Sequence, residues 1–558
     1  MTTTSLTVDD IATRFWEGFL ERQPIFASML GDRRYEDRLD DPGPTGRERD
    51  RELVRDVLAA TGGVDREGLD IEDGITLGML ETIANVHLEQ DGQRLYEFTS
   101  VDHLDGPQGL PGILARLMTI DSDDAFGHLL DRLAGFGTFI DAHIGNIDEG
   151  VASGRTAAPV VFGRAIDQLE RMVATPTDES PLAAGLGPNL RDDQREALLA
   201  AIRRDVEPAN ARLLDRVRSA APKARAGDGV WALPDGEAVY RTAILASTTM
   251  AIEPLELHEF GLEQLAEIDR DRLTIARELG HPDVASLRAF LDTDPSNFVT
   301  DPDDLVVLAR RQIDHAAAVA PRWFGRLPRA ACEVRAVEPY AAPEAPGAFY
   351  YPPAPDGSRP GIYFINTYQP DSRPLHQVAT TTYHEAVPGH HFQITIESEL
   401  EDLHPFRRFG ARLAGAAFAE GWGLYSERLA DEMGLFTSPQ ERLGMLDMQA
   451  MRAARLVTDT GLHAFRWTRD EAVDFVEGAG LPRLQAESEV DRYVCWPGQA
   501  LAYMVGQREI LALRAELEAR DGDRFDLQGF HDAVIGHGSL PLATLRAQLP
   551  GWLAPRPA

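Results

Sequence analysis

Cysteine is nearly absent from this sequence of 558 residues, which contains only Cys332 and Cys495. Two cysteines so far apart in the chain exclude the disulfide framework that is typical of small secreted domains. The start, "MTTTSLTVDDIATRFWEGFL", lacks the basic segment and apolar stretch of a signal peptide. No run approaches the ~20 apolar residues that a membrane span needs. These absences predict a cytoplasmic protein that does not enter a membrane.

Lysine is scarcer still, because Lys223 is the only one in the chain. Arginine supplies the rest of the 55 basic residues, which face 90 acidic ones and leave a net charge of −35. Such a charge repels the phosphates of nucleic acids and anionic membranes, so we expect neither as a partner. Neutral or cationic peptides are compatible with it. A diffuse acidic surface that keeps the protein soluble is the simpler explanation of the charge.

Apolar residues recur at helical spacing through the first 330 residues. One stripe consists of Ile11, Phe15, Phe19 and Leu20, and a second consists of Leu129, Leu133, Phe136 and Ile140. From 331 to 370 the chain becomes rich in proline, glycine and aromatic residues, and two short strand patterns, "AFYY" and "GIYFIN", flank the turn "PDGSRPG". Helical patterns return from 371 to 558.

The length of 558 residues exceeds what one simple core accommodates, so we expect at least two lobes. The predicted fold is mostly α with a small β-hairpin. The predicted divisions are an N-terminal helical lobe at 1–330, a hairpin element at 331–370 and a C-terminal helical lobe at 371–558.

The segment "YHEAVPGHHFQ" resembles a zinc-binding His-Glu-x-x-His helix with altered spacing. His384 and Glu385 begin the motif, but Pro388 occupies the position of the second histidine, and His390 and His391 follow later. On a straight helix, residues seven apart lie roughly 10.5 Å apart along the axis, which is too far for one metal ion. A regular helix therefore cannot make this site.

Pro388 and Gly389 are typical of a break in a helix, because proline removes a backbone donor and glycine tolerates unusual backbone angles. Omitting this pair restores the four-residue spacing between His384 and His390. We therefore expect the pair to lie outside the helix. The competing interpretation is an ordinary helix end with no metal.

A third metal ligand is expected from another helix, and Glu420 in "AAFAEGWGLYSERLADEMG" is the best candidate. Phe418 and Trp422 begin an apolar face on this helix, whereas Glu420 and Glu427 share another face. A solvated face is the simpler interpretation for an isolated glutamate there. Gly421 and Gly423 inside the helix suggest close approach of another backbone.

A second group of polar residues lies downstream. Arg452, Arg455, Asp459 and His463 fall on one face of a predicted helix. A solvated face is again the simpler explanation, but a cleft wall in which His463 donates to an oxyanion and Asp459 orients it also fits. Tyr493 and Tyr503 are weaker candidates for oxyanion donors.

Four motifs in order, namely "YHEAVPGHHFQ", "AFAEGWGLYSERLA", "RLVTDTGLHAFRWTRDEAVDF" and "RYVCWPGQALAYMVGQREI", resemble the bacterial proteins grouped as domain of unknown function family 885. The N-terminal helix and the hairpin look like that family too, so the resemblance covers nearly the whole chain. Members look like zinc metallopeptidases, and their two-lobed helical architecture is similar to that of neurolysin-like oligopeptidases.

This resemblance implies a zinc ion held by His384, Glu420 and either His390 or His391. His390 is favoured, since a glycine precedes the second histidine in several related helical peptidases. Glu385 would act as general base, and His463 and Tyr503 would stabilise the oxyanion.

We therefore expect a zinc-dependent peptidase that acts on short peptides. The alternatives are a catalytically silent peptide-binding protein and a metal-dependent hydrolase of a non-peptide amide. The hairpin at 349–365 is expected to align an extended peptide. The sequence predicts no particular oligomeric state.

Overall fold

A computed structural model describes residues 6–339, 342, 345–353 and 359–553. Most of these residues are helical, and a small three-stranded sheet lies between two long series of helices. The predicted fold class, mostly α with a small β element, is confirmed.

The helices before the sheet are α1 (Val8–Arg22), α2 (Pro24–Met29), α3 (Pro44–Thr61), α4 (Ile71–Gly92), α5 (Tyr96–Thr99), α6 (Leu110–Leu117), α7 (Asp123–Ser153), α8 (Pro159–Ala174), α9 (Pro181–Leu186), α10 (Asp192–Ala201), α11 (Glu207–Ala220), α12 (Gly236–Thr248), α13 (Pro254–Glu278), α14 (Val284–Leu291) and α15 (Pro302–Val319). The strands are β1 (Cys332–Ala336), β2 (Ala348–Tyr351) and β3 (Gly361–Ile365). The helices after the sheet are α16 (Leu375–Glu385), α17 (His390–Ser398), α18 (Pro405–Phe409), α19 (Ala417–Glu432), α20 (Pro439–His463), α21 (Arg469–Gly478), α22 (Arg483–Cys495), α23 (Ala502–Asp521), α24 (Leu527–Ile535) and α25 (Leu542–Trp552).

Buried apolar residues form two cores that both draw on distant parts of the chain. The first core takes residues from 11–98, 230–456 and 501–549. The second core takes residues from 101–220 and 462–500. The predicted apolar stripe on α7 belongs to the second core, where Leu129 and Phe136 are fully buried.

The boundaries predicted at 330 and 370 do not separate these two cores. Contacts cross both boundaries. For example, Glu72 in α4 accepts a hydrogen bond from Arg407 in α18 at 3.0 Å. Helical periodicity identifies which face of a helix is apolar, but it does not identify the helix that covers that face. The division into an N-terminal and a C-terminal lobe therefore needs correction: helices from both ends of the chain build the first core.

The predicted hairpin is present as β2 and β3, which pair antiparallel with Ala348 opposite Ile365. The central part of its turn, residues 354–358, lies outside the described residues. The strand β1 was not predicted from the sequence; it pairs parallel with β3 and places β3 in the centre of the sheet. β2 is therefore an edge strand. Asn366 N donates to Gly347 O at 2.9 Å, so alternation along the strand directs the N–H and C=O of Ala348 and Tyr350 away from β3.

The helix α19 packs against α23 at a point where both helices have a glycine. A Cβ atom added to Gly421 would lie 2.4 Å from Gly506 Cα. This confirms the expectation that Gly421 marks the close approach of another backbone. On the same helix, Phe418 and Trp422 are buried as predicted.

Within the described residues, no helix has the length and apolar character needed to cross a membrane.

The substitution Gly421→Ala tests the contact between α19 and α23. The added methyl group would meet backbone atoms of Gly506, so the two helices must move apart. Such overpacking costs about 1–3 kcal/mol of folding free energy. We expect the variant to have a lower Tm than the wild-type protein, measured by circular dichroism.

Gly163→Ala is the matched control, because a Cβ atom added at Gly163 in α8 meets no heavy atom within 4 Å. Alanine is better than glycine in a helix by about 0.5–1 kcal/mol, so the Tm of this variant should stay level or rise. An equal Tm for the two variants would contradict the inferred close contact at Gly421.

Candidate metal centre

The predicted break in the helix lies between α16, which ends at Glu385, and α17, which begins at His390. Pro388 and Gly389 lie outside both helices, as expected from the sequence. A Cβ atom added to Gly389 would lie 1.8 Å from the carbonyl oxygen of His384, so only glycine fits there without a shift of the chain. The connection is held from α19, because Trp422 Nε1 donates a hydrogen bond to Pro388 O at 2.9 Å.

This break allows His384 of α16 and His390 of α17 to converge on Glu420 of α19. Glu420 Oε2 lies 3.6 Å from His384 Nε2 and 3.7 Å from His390 Nε2. One ligand atom from each of the three residues lies within 4.8 Å of the other two. In a tetrahedral zinc site with bonds of ~2.0–2.2 Å, the ligand atoms are about 3.3–3.6 Å apart. The arrangement therefore fits a divalent metal ion with small adjustments of the side chains.

His391, the alternative second ligand, faces away from this group. Its Nδ1 atom lies 2.9 Å from the hydroxyl of Tyr350 and 3.2 Å from that of Thr395. Burial lowers the pKa of His391 to about 4. The histidine that the structure brings together with His384 and Glu420 is therefore His390.

Gly423 provides the space that the two imidazole rings occupy. A Cβ atom at this position would lie 2.9 Å from His384 Nε2 and 3.1 Å from His390 Cε1. Glycine inside a helix costs about 1 kcal/mol relative to alanine, so the packing of the imidazoles gives a physical reason for it here.

Glu427 orients His384 and was missed as a site residue. Its Oε1 atom lies 2.9 Å from His384 Nδ1, and its Oε2 atom accepts a hydrogen bond from Gln449 Nε2 at 2.7 Å. The side chain of Glu427 is fully buried, so the expectation that it belongs to a solvated face is wrong. A carboxylate on the outer nitrogen of a histidine is typical of metal sites, where it fixes the ring and the tautomer. Its position one heptad after Glu420, on the same helix face, was the available signal.

The charges of the site favour a cation among the carboxylates. Burial alone would lower the pKa of His384, but the carboxylates of Glu420 and Glu427, which accept hydrogen bonds from the protonated ring, raise that pKa to about 9. Burial raises the pKa of Glu385 above its ordinary value, although His390 and His384 oppose this. Glu385 is half-buried at the end of α16.

A cavity of about 630 Å³ opens beside this group and is lined by His384 and Glu385. Ala348, at the start of the edge strand β2, also lines the cavity. Arg452 of α20 also lines the cavity, so one residue of the polar face predicted on that helix reaches the site.

The other predicted residues of α20 serve structural contacts. His463 Nδ1 accepts a hydrogen bond from Val230 N at 3.2 Å, and its Nε2 bonds with Tyr493 O at 2.9 Å. Both ring nitrogens are therefore engaged, and burial lowers the pKa of His463 to about 3. Asp459 accepts a hydrogen bond from Tyr240 OH at 2.6 Å and does not orient His463. The expected oxyanion role of His463 does not agree with these contacts.

The two tyrosine candidates lie behind the cavity wall. The ring of Tyr503 lies under the guanidinium group of Arg455, at 4.5 Å. The hydroxyl of Tyr493 donates to Glu489 at 2.7 Å. Neither tyrosine belongs to the cavity lining.

Comparisons with known proteins identify the family. Residues 24–549 match the family described as "Bacterial protein of unknown function (DUF885)". The chain belongs to this family. No curated protein matched the sequence.

Two solved structures resemble the chain over almost its whole length. The crystal structure of "the putative lipoprotein from Colwellia psychrerythraea" is 27% identical, covers 98% of this chain and 99% of its own, and has a TM-score of 0.89. A "putative lipoprotein of unknown function from Shewanella oneidensis" is 18% identical, covers 98% of this chain and 100% of its own, and has a TM-score of 0.78. At that identity, the second likeness concerns the fold alone. The expected likeness to neurolysin-like oligopeptidases stays a prediction.

Elemental analysis of the desalted protein tests the metal centre. After incubation with Zn²⁺, we expect close to one equivalent of zinc in the wild-type protein and almost none in His384→Ala or Glu420→Ala. His391→Ala is the matched control and should keep its zinc, because His391 faces Tyr350 and Thr395. Loss of zinc from His391→Ala but not from His390→Ala would show that the second ligand is misassigned.

Glu427→Gln tests the orienting role of the buried carboxylate. The substitution keeps the three candidate ligands but weakens the hydrogen bond that fixes the ring of His384. Loss of such a partner typically reduces metal affinity by about ten- to a hundredfold. We expect that increase in Kd by competition with a chelator, and no change for Glu432→Gln on the exposed side of α19. Equal affinities would remove Glu427 from the site.

Proposed function

We propose that the protein is a zinc-dependent metallopeptidase that hydrolyses short peptides. The observation that carries this proposal is the convergence of His384 Nε2, His390 Nε2 and Glu420 Oε2, with Glu385 beside them on the wall of a cavity. Two imidazoles and one carboxylate are a ligand set used by catalytic zinc, which keeps a further position open.

Each residue of the site has its own role in the proposed reaction. His384, His390 and Glu420 would hold the ion, and Glu427 keeps the ring of His384 in place. When bound, zinc would polarise a carbonyl group and lower the pKa of water toward ~7. Glu385 accepts the proton of the attacking water and passes it to the leaving amine. A raised pKa suits this role, because it brings the carboxylate closer to the working pH.

The edge strand β2 supports a peptide as the substrate. The N–H and C=O of Ala348 point away from β3, and Ala348 lines the same cavity as Glu385. An extended peptide that adds to this edge gains backbone hydrogen bonds whatever its side chains are. A small non-peptide amide cannot make that set of bonds.

The cellular location stays a prediction. The two cysteines favour the cytoplasm, whereas the two solved structures compared above are each described as a "putative lipoprotein". Fractionation of cells that produce the full chain decides between the cytoplasm and the cell envelope.

Turnover of a mixed library of short peptides by the zinc-loaded protein tests the proposed activity. We expect new cleavage products by mass spectrometry, and a loss of at least about a hundredfold in kcat for Glu385→Gln, since general-base catalysis contributes about 10²–10⁴-fold. The variant should still bind zinc, because Glu385 is not among the three converging ligands.

Each of the other outcomes points to a different function. Binding of peptides without cleavage would favour the silent peptide-binding protein. Cleavage of simple amides, with peptides left intact, would favour a non-peptide amide hydrolase. Cleavage that is unchanged in Glu385→Gln would overturn the proposed mechanism.

A further inference from the structure

Apart from Glu385, the acidic residues that line the cavity beside the metal centre have cationic partners. Asp447 lies 2.6 Å from Arg272 and 2.7 Å from Arg288, and Glu489 lies 2.9 Å from Arg455. Their charges are therefore compensated within the protein. Two further arginines that line the same cavity, Arg373 and Arg452, are not fully paired with carboxylates.

Arg373 is a half-buried cation without an acidic partner among the described residues. Its Nε atom donates to the carbonyl oxygen of Tyr368 at 2.9 Å, and no carboxylate of the described chain lies within ion-pair distance. Burial lowers the pKa of Arg373, with no carboxylate to oppose it. A guanidinium group that is partly removed from water and left unpaired costs folding free energy. Charged side chains in such unfavourable surroundings are found mainly at functional sites, where a ligand supplies the missing partner.

Arg452 is almost fully buried, with 6% of its surface exposed, and is also incompletely paired. Its Nε atom makes no hydrogen bond within the described residues. The nearest carboxylate is that of Glu427, at 3.9 Å, which is beyond hydrogen-bond distance. Glu427 already bonds with His384 and Gln449. Arg452 Nη1 makes only long hydrogen bonds to Met448 O and Sδ, both at 3.4 Å, so the donors of Arg452 are incompletely satisfied within the described residues.

We propose that Arg373 and Arg452 bind a carboxylate group of the substrate. The cavity would thus select peptides that carry an anionic group close to the bond cleaved by the metal centre. A guanidinium group matches a carboxylate with two parallel hydrogen bonds, and such pairs are about twice as strong as neutral ones. This inference rests on the proposed peptidase function, because it names the substrate class of that same site.

Two sources offer this carboxylate: the C-terminus of a peptide, or the side chain of Asp or Glu within it. The protein carries a net charge of −35, so anionic peptides are repelled from most of its surface. Local cations inside the cavity are needed to overcome that repulsion. Both sources share this chemistry, and the experiment separates them.

The experiment uses four forms of one short peptide with the full zinc-loaded protein. The C-terminus is either a free acid or an amide, and one internal position is either Glu or Gln. We expect the form lacking the recognised carboxylate to lose about ten- to a hundredfold in kcat/KM, as is typical of a lost charge-assisted hydrogen bond. The C-terminal pair of peptides identifies the terminal carboxylate, and the Glu/Gln pair identifies the side chain.

Arg373→Gln should abolish the preference for the peptide that carries the recognised carboxylate, mainly by raising KM for that peptide. Arg452→Gln should act in the same way, and circular dichroism checks that this buried position still permits folding. Arg335→Gln is the matched control, since Arg335 on β1 is exposed, pairs with Glu333 and lies outside the cavity. An equal loss of kcat for acid and amide forms in Arg452→Gln would instead assign Arg452 to the oxyanion.

The outcomes separate this inference from the proposed function. If the wild-type protein cleaves all four forms equally well, the carboxylate site is wrong and the peptidase stands. If it cleaves none, the peptidase is wrong. Binding of the four peptides to Glu385→Gln then tests the carboxylate site alone, and equal Kd values would overturn it.

Discussion

The packing of α19 against the break between α16 and α17 is the constraint on which the candidate site depends. Two neighbouring residues of α19 make this packing possible in different ways. Trp422 Nε1 holds the carbonyl of Pro388, and Gly423 leaves the space in which the imidazoles of His384 and His390 lie. Without the break, the two histidines would project in different directions from one helix. Without the glycine, the rings could not lie over the helix that supplies Glu420.

The burial of several carboxylates in one place explains the electrostatics of the site. Glu427 is fully buried, Glu385 and Glu420 are half-buried, and all three carboxylates lie against the two imidazoles or next to them. Buried charges of one sign are unstable unless a cation accompanies them. Protonation of His384, whose pKa is raised to about 9, is one way to supply that cation. A divalent ion would compete with this proton, because a metal ligand must be deprotonated.

The sequence was sufficient to predict features that depend on local chemistry. The helical class, the β2–β3 hairpin and the break at Pro388–Gly389 follow from periodicity and from the backbone limits of proline and glycine. Spacing favoured His390 once Pro388 and Gly389 were omitted, but it left His391 open, because the contact of His391 with Tyr350 in a distant strand is not visible in the sequence. Glu427 was taken for a solvated residue because helical phase gives a face but not its neighbour. The crossing of the two cores over the predicted boundaries has the same origin.

Selectivity in such a site depends on what a ligand leaves unpaired as much as on what it contacts. An arginine in water loses little when a ligand lacks a carboxylate, because water replaces the missing partner. Arg452 is almost fully buried, its nearest carboxylate in the described chain lies 3.9 Å away, and its Nε atom has no hydrogen-bond partner there, so a neutral ligand that excludes water would leave that donor unsatisfied. The penalty falls on the wrong ligand, which is how buried polar groups produce large discrimination. The acidic exterior adds to this effect, since it lowers the local concentration of anions that the cavity does not hold.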